Sequence, residues 1–324
     1  MNRYHLLHAT EFRYDGPVSE SYNEVRLRPI HDETQSCLSF RLVTDPVSRG
    51  TSYRDVFGNW VHQFNILPEH HRLKIEAESV VLAHDAPLPP PNSMKLSELD
   101  GHREELEEEF LDFVVPTGYV PHVPQLDELV EAASRNDDGT ISGFVQAASH
   151  LIHEKFSYVK GATHVNSSIK DSLSIGAGVC QDFAHLLLGV VRKRGLPARY
   201  VSGYLVPESA ASPEAKLQEV IGGYASHAWA EVYLPDTGWI GLDPTLGKPL
   251  GLQHVRIAYG RDYGDVAPVR GVYKGHAGQR LSVDVRVRPA LDDDGREQLS
   301  ENKAAPPEPP AILERAQQPA QQQQ

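Results

Sequence analysis

The spacing of apolar residues changes along this chain, and this change constrains the fold more than any other feature of the sequence. Over residues 1–83, short runs such as NEVRLRPI and HRLKIEAESVVL alternate apolar with polar positions and recur about every dozen residues, as in antiparallel sandwiches. From residue 103 onward, apolar residues recur every three or four positions, which is typical of amphipathic helices. The sequence therefore predicts an α+β protein, with an antiparallel β-sandwich domain followed by a domain that contains helices.

A proline-rich stretch separates these two parts. The sequence PLPPP lies within residues 84–102, which are predicted to form a linker. Residues 1–83 then form the β-rich domain, and residues 103–288 form the second domain, which ends in a run of alternating apolar residues typical of a strand. Residues 289–324 are rich in proline and glutamine and poor in side chains that could form a core, so this tail is expected to be disordered.

The charge of the chain argues against two classes of partner. Its 31 lysine and arginine residues are outnumbered by 44 aspartate and glutamate residues, which gives a formal net charge of -13. This charge opposes the counterion release that drives nucleic-acid binding, and anionic membrane surfaces repel it. The first residues lack the apolar segment of a signal peptide, and no run approaches the ~18 apolar residues of a membrane span. We therefore expect a cytoplasmic protein that binds neither nucleic acid nor membranes.

The chain contains 2 cysteines, Cys37 and Cys180, which is too few for a disulfide framework or a four-cysteine zinc site. Its 16 histidines include no HExxH motif, and the sequence contains neither a P-loop nor a dinucleotide-binding glycine motif. We therefore expect no metal and no cofactor. Cys37 lies in the strand-like run CLSFRLV, away from any helix start, and is interpreted as a packing residue.

The segment from Gly176 to Gly195 predicts a glycine turn, a helix and a glycine stop. Apolar residues recur at helical spacing after Cys180, and basic residues precede Gly195, where the helix dipole favours them. Cys180 is thus predicted at a helix N-terminus, where the positive end of the dipole stabilises a thiolate. The alternative interpretation is a buried cysteine that packs behind the glycine turn.

Two further residues have the chemistry that a thiolate nucleophile requires. Such a nucleophile needs an imidazole that transfers protons and a carboxylate or amide that orients the imidazole. His227 begins the predicted strand HAWAEVYL, and Asp243 ends the predicted strand GWIGLD. A hairpin between these strands brings Asp243 close to His227. As alternatives, His227 is an ordinary strand histidine, and Asp243 forms a turn with the proline that follows it.

The motifs GAGVCQDFAHLLLGVVRKRGLPARYVSGYL and SHAWAEVYLPDTGWIGLDPT resemble the core of the bacterial transglutaminase-like family, which has a papain-like fold and a Cys-His-Asp triad. The first 83 residues, with the motif DVFGN, resemble the β-rich N-terminal region of many bacterial members. The resemblance implies that Cys180 is the nucleophile, His227 the general base and acid, and Asp243 the residue that orients His227. It also implies that the helix of Cys180 packs against an antiparallel sheet.

Relatives in this family use an aromatic residue before the nucleophile to stabilise the oxyanion. By this resemblance Tyr158 is the candidate for that role, with a core tyrosine as the equally weighted alternative. The polar segment from Pro207 to Ser226 is interpreted as a surface excursion or a lid over the substrate cleft.

The expected activity is acyl transfer through a thioester on Cys180, with amide bonds of peptides or proteins as substrates. If water resolves the thioester, the protein is a cysteine protease or amidase. If an amine resolves it, the protein is a protein-glutamine gamma-glutamyltransferase. Hydrolysis is favoured because the sequence shows no built site for an acceptor amine. The alternative from another class is a non-catalytic binding module with the same fold.

Overall fold

The computed structural model of the protein describes residues 2–84, 94–206, 226–235 and 237–290. Residues 85–93 of the predicted linker, nearly all of the segment from Pro207 to Ser226 and the predicted tail beyond residue 290 lie outside the described residues. Among the residues that are described, no helix combines the length and the apolar character that crossing a bilayer requires.

The strands are β1 (Asn2–Val25), β2 (Gln35–Asp45), β3 (Gly50–Arg54), β4 (Trp60–Ile66), β5 (His70–Ala83), β6 (Ser157–Tyr158), β7 (Ala177–Gly178), β8 (Ala198–Leu205), β9 (Ser226–Leu234), β10 (Gly238–Asp243), β11 (Lys248–Pro249), β12 (His254–Gly260), β13 (Val269–Lys274) and β14 (Gln279–Pro289). The helices are α1 (Arg103–Val114), α2 (Gln125–Arg135), α3 (Ile141–Lys155), α4 (Ile169–Ile175), α5 (Cys180–Lys193) and α6 (Tyr263–Val266), and a 3-10 helix (Leu96–His102) precedes α1.

The first compact unit of the structure is built on the long strand β1. The first half of β1 pairs with β5 on one side and with β14 on the other, and its second half pairs in the same way with β4 and β13. All four pairings are antiparallel. Strand β2 pairs with the other edge of β5, and β3 pairs with the other edge of β4. Apolar residues of β4 and β5, such as Phe64 and Leu73, meet in one core. The predicted antiparallel, β-rich N-terminal region is therefore confirmed.

The predicted domain limits and the compact units of the structure differ at the C-terminal end. All of residues 103–288 were predicted to form the second domain. In the structure, the chain returns to the first unit from residue 268, and β14 pairs with β1 over a register from Tyr4 to Tyr14. The alternation of apolar residues in β14 indicates a strand but carries no information about its partner, because strand pairing is not local in sequence.

The second unit consists of helices that pack on a five-stranded sheet. The strand order is β11-β10-β9-β8-β12, and β10 is antiparallel to both of its neighbours. Every residue of α5 from Asp182 to Arg192 is buried, and its apolar residues share one core with α2 and α3. Since burial of each Leu or Val side chain contributes about 1.5–3 kcal/mol, α5 is anchored over its whole length. The first residue of this helix, Cys180, is consequently held in a fixed position.

Candidate active site

Cys180 is the first residue of α5, and a short irregular segment determines where that helix starts. Helix α4 ends at Gly176, whose positive φ of 72° is readily adopted by glycine, and β7 then pairs in parallel with β6. Val179 is extended, and the helical conformation begins at the next residue. The predicted glycine turn and helix are therefore present, and Cys180 lies in the first turn of α5, where backbone N–H groups have no partner within the helix.

Asp182 holds this helix start together. It is 2% exposed, and its carboxylate accepts hydrogen bonds from the Val179 backbone N–H at 2.8 Å, the Thr163 hydroxyl at 2.5 Å and the Ser172 hydroxyl at 2.9 Å. Gly178 makes room for it, because a Cβ at that position would lie 2.6 Å from the Asp182 side chain. The position of Asp182 in the first turn of α5 also suits the positive end of the helix dipole. Asp182 therefore connects the segment before Cys180 to α4 and to the loop at Thr163.

We expect Asp182→Ala to lower the free energy of unfolding by about 2–4 kcal/mol, since it removes a helix cap and takes away the acceptor of the buried Ser172 hydroxyl and of the half-buried Thr163 hydroxyl. Urea unfolding measures this change. Asp171→Ala is the matched control, because Asp171 caps α4 in an exposed position and its loss should cost less than about 1 kcal/mol. Equal destabilisation by the two substitutions would contradict the role assigned to Asp182.

The hairpin of β9 and β10 places His227 and Asp243 on one face of the sheet. Its register pairs Gly238 with Leu234 and Leu242 with Ala230. Extended by one pair, this register places Asp243 opposite Trp229. His227 lies two residues before Trp229, so it is on the same face of the sheet as Asp243 and is its diagonal neighbour across the two strands. The His227 Nε2 atom lies 2.6 Å from Asp243 Oδ2. The structure thus brings together the histidine and the aspartate that the sequence singled out.

The carboxylate of Asp243 is fully buried and receives four hydrogen bonds. Its Oδ1 atom accepts from the backbone N–H groups of Thr245 at 2.9 Å and Leu246 at 3.2 Å, and its Oδ2 atom accepts from His227 and from His254 at 3.1 Å. Burial by itself raises the pKa of Asp243, but the hydrogen bonds from the two histidines outweigh it and hold this pKa below its usual range. Asp243 is therefore an anion that both forms a turn and orients His227.

His227 contacts Cys180 as well as Asp243. Burial disfavours the charged ring, whereas its hydrogen bonds with Asp243 and Cys180 favour it and raise the pKa of His227 to about 10. Because Nε2 is occupied by Asp243, the ring nitrogen left for the thiol is Nδ1. Cys180, His227 and Asp243 thus form one chain of contacts in which a protonated imidazole lies between a thiol and a carboxylate.

Two tyrosines lie close to Cys180. Tyr158 is half-buried on β6, beside Gly178, and its pKa is raised to about 12 by burial and by the neighbouring charges of Cys180 and Asp182. It also packs against Phe183, so its position fits both the predicted oxyanion donor and the alternative of a core tyrosine. Tyr200, which was not singled out from the sequence, is a buried residue of β8, and its pKa is raised by burial and by Cys180. No local pattern distinguishes Tyr200 from other strand tyrosines.

Cys37 lies in a different environment from Cys180. It is half-buried on β2, and its thiol donates to the Ser39 backbone carbonyl at 3.4 Å. Burial raises the pKa of this thiol, and the nearby Arg28 opposes that effect only in part. A raised pKa leaves little thiolate at neutral pH, so the chemistry of this site differs from that expected of a nucleophile.

One group of described side chains could hold a metal ion. His227, Asp243 and His254 each present one donor atom, and these atoms lie within 4.8 Å of one another. In the structure the same three atoms are joined by hydrogen bonds, so a cation would have to displace the two imidazole protons that point at Asp243. His254 was not singled out from sequence. Its position 11 residues after Asp243 is unremarkable in a chain with 16 histidines, and only the sheet brings the two together.

Comparison with known proteins places both parts of the chain in described families. Residues 4–82 match the bacterial transglutaminase-like N-terminal region, and residues 127–244 match the transglutaminase-like superfamily. The second match includes Cys180, His227 and Asp243. The family resemblance that the sequence motifs indicated is thereby confirmed.

Individual proteins are also similar to this chain in sequence or in fold. An uncharacterized protein of Mycobacterium leprae is 33% identical over 287 residues, which cover 89% of this chain and 99% of that protein. A protein-glutamine gamma-glutamyltransferase of Pseudomonas aeruginosa is 34% identical over 98 residues, which cover 29% of this chain and 14% of that protein. The crystal structure of a candidate cysteine protease from Cytophaga hutchinsonii matches with a TM-score of 0.64 and 22% identity, covers 90% of this chain and 92% of that one, and so shares the fold. The chain therefore belongs to the transglutaminase-like superfamily and carries the bacterial transglutaminase-like N-terminal region.

Proposed function

We propose that this protein is a thiol-dependent acyl-enzyme catalyst that hydrolyses amide bonds of peptides or proteins, with the cytoplasm as its proposed location. The observation that carries the proposal is the position of His227, whose ring contacts both Cys180 at a helix start and the buried carboxylate of Asp243. A thiol, an imidazole and a carboxylate in this order are the groups that nucleophilic acyl transfer requires.

The proposed reaction begins with attack of the Cys180 thiolate on the amide carbonyl carbon, which forms a C–S bond and a tetrahedral oxyanion. The proton on His227 passes to the amide nitrogen, the C–N bond breaks, and the amine leaves while a thioester stays on Cys180. Water, deprotonated by His227, then attacks the thioester and releases the carboxylic acid and the thiolate. The backbone N–H of Cys180 and the hydroxyl of Tyr158 are the proposed donors to the oxyanion.

A second candidate function differs only in the group that resolves the thioester. The short match to the protein-glutamine gamma-glutamyltransferase of Pseudomonas aeruginosa favours it. In that reaction the acyl group comes from a glutamine side chain, and a primary amine takes the place of water. The first half-reaction, in which Cys180 attacks and ammonia leaves with the proton of His227, is the same.

Product masses distinguish these functions. The purified protein is incubated with a glutamine-containing peptide library, with and without a primary amine such as cadaverine, and the products are read by mass spectrometry. Cleaved backbone or deamidated glutamine in both arms supports hydrolysis, whereas an adduct formed only with the amine supports the transferase. If the folded protein gives no product that a Cys180→Ala control lacks, the proposal of catalysis fails and a binding module replaces it.

The protonation of His227 can be measured without a substrate. Because its pKa is raised to about 10, the ring should remain an imidazolium through neutral pH and lose its proton only as the pH rises toward about 10. The raised pKa also means that protonation of His227 stabilises the fold fully below about pH 6.5, and that this contribution is lost as the pH rises through about 10. A two-dimensional NMR titration of the histidine ring nitrogens measures the transition. An imidazole that titrates near its ordinary value of about 6.5 would contradict the contacts described above.

A further inference from the structure

His254 is an ionisable side chain of the candidate site that the proposed reaction leaves without a role. It lies at the start of β12 and is 6% exposed. Its Nε2 atom lies 3.1 Å from Asp243 Oδ2, the same oxygen that His227 contacts at 2.6 Å. Two buried imidazoles therefore share one oxygen of a buried carboxylate.

The backbone determines which nitrogen of His254 carries a hydrogen. The Gly251 backbone N–H points at His254 Nδ1 over 3.1 Å, so Nδ1 is an acceptor. The Gly251 carbonyl is also near Nδ1, but at the longer distance of 3.4 Å. With Nδ1 as the acceptor, a neutral ring has its hydrogen on Nε2, and this N–H donates to Asp243.

The ring of His254 is also held in place by packing. The Trp229 ring meets it edge-on, with ring centroids 5.2 Å apart and an angle of 79° between the planes. The His254 backbone N–H donates to the Gly251 carbonyl at 3.0 Å, which fixes the segment just before β12. The charged and titratable groups described next to the His254 ring are Asp243 on β10 and His227 on β9. Asp243 contacts the ring directly, and the centroids of the His227 and His254 rings are 6.3 Å apart.

We propose that His254 is a positioning residue for the acyl-transfer reaction, which donates from Nε2 to Asp243 and so holds the Oδ2 atom where His227 meets it. This inference rests on the proposed function. With Oδ1 held by two backbone N–H groups and Oδ2 by two imidazoles, the carboxylate has no freedom to rotate. The donated hydrogen bond also withdraws charge from Oδ2, which weakens the pull of Asp243 on the His227 proton and makes His227 a better acid toward the leaving amine.

Two substitutions of His254 separate positioning from a space-filling role. His254→Leu keeps much of the volume and removes the donor, whereas His254→Gln retains an amide N–H close to the place of Nε2. We expect His254→Leu to lower kcat about 10- to 100-fold with little change in KM, to raise the pH at which His227 titrates by NMR, and to retain the folded circular dichroism spectrum. We expect His254→Gln to restore most of kcat and the original His227 titration.

The NMR readout keeps the two proposals distinguishable. If His254→Leu shifts the His227 titration but the wild-type protein turns over no substrate, the hydrogen-bond role stands and the proposed function fails. If His254→Leu is folded and leaves both kcat and the His227 titration unchanged, the positioning role is overturned. It is equally overturned if elemental analysis of the purified protein finds stoichiometric zinc that is lost in His254→Leu, because the three side chains would then be metal ligands.

Discussion

Cys180→Ala should reduce turnover by a factor on the order of 10⁴–10⁶, since removal of the nucleophile leaves only binding and oxyanion stabilisation. The fold should be little affected. Cys180 is half-buried at the first position of α5, where alanine is a good helix former, and the anchoring apolar residues of α5 are untouched. We expect the free energy of unfolding to change by less than about 1 kcal/mol.

The measurement combines turnover with thiol labelling. Turnover is followed on a peptide identified in the product screen, and stability by urea unfolding. Iodoacetamide labelling with mass detection should show one fast and one slow site in the wild type, and only the slow site in Cys180→Ala. Cys37→Ala is the matched control, because it removes the other thiol of the chain and should retain full turnover and the fast site. Turnover that survives in Cys180→Ala, or is lost in Cys37→Ala, would contradict the assignment of the nucleophile.

Asp243→Asn should impair both catalysis and stability. The carboxylate accepts four hydrogen bonds, and an amide can accept with its oxygen only, so its NH₂ group must face either two backbone N–H groups or two imidazole N–H groups. The imidazolium of His227 also loses its buried counterion. We expect turnover to fall by about 10³–10⁴-fold and the free energy of unfolding to fall by about 3–5 kcal/mol.

Asp262→Asn is the matched control for this substitution. Asp262 is also buried, and it caps α6 by accepting from the Gly264 backbone N–H at 2.7 Å. Asparagine caps helices about as well as aspartate, so this change should cost less than about 1 kcal/mol and leave turnover within about twofold of wild type. In Asp243→Asn, the NMR titration of His227 should move down toward its ordinary range. An unshifted titration would show that Asp243 does not stabilise the imidazolium.

Local patterns in the sequence predicted the elements that position the candidate site. The helix that begins at Cys180 follows from a glycine turn and from apolar residues at helical spacing. The approach of Asp243 to His227 follows from two strands joined by a short turn, since a hairpin pairs residues that are close in sequence. Register was not predictable to the residue, but any register that keeps both residues on one face brings them within reach.

The parts that escaped prediction depend on contacts that follow neither from helical spacing nor from a hairpin. His254 lies 3.1 Å from Asp243 although β9 and β8 separate β12 from β10 in the sheet, and the periodicity of a single strand does not encode such a contact. The hydroxyls of Thr163 and Ser172 meet Asp182 for a similar reason, since they lie on a loop and a helix that only the tertiary fold brings to it. No local pattern in the sequence identifies these partners of Asp182.

The pairing of β1 with β14 has a consequence for synthesis of the protein. The ribosome makes β1 first, yet its partner along the first half spans Gln279–Pro289, so this edge of the nascent sheet stays open until almost the whole described chain has emerged. The residues of the candidate site are translated in the interval. Exposed strand edges recruit incorrect partners, and late closure of long-range pairs slows folding. Chaperone dependence during translation should therefore concentrate on β1, the strand that waits longest for its neighbour.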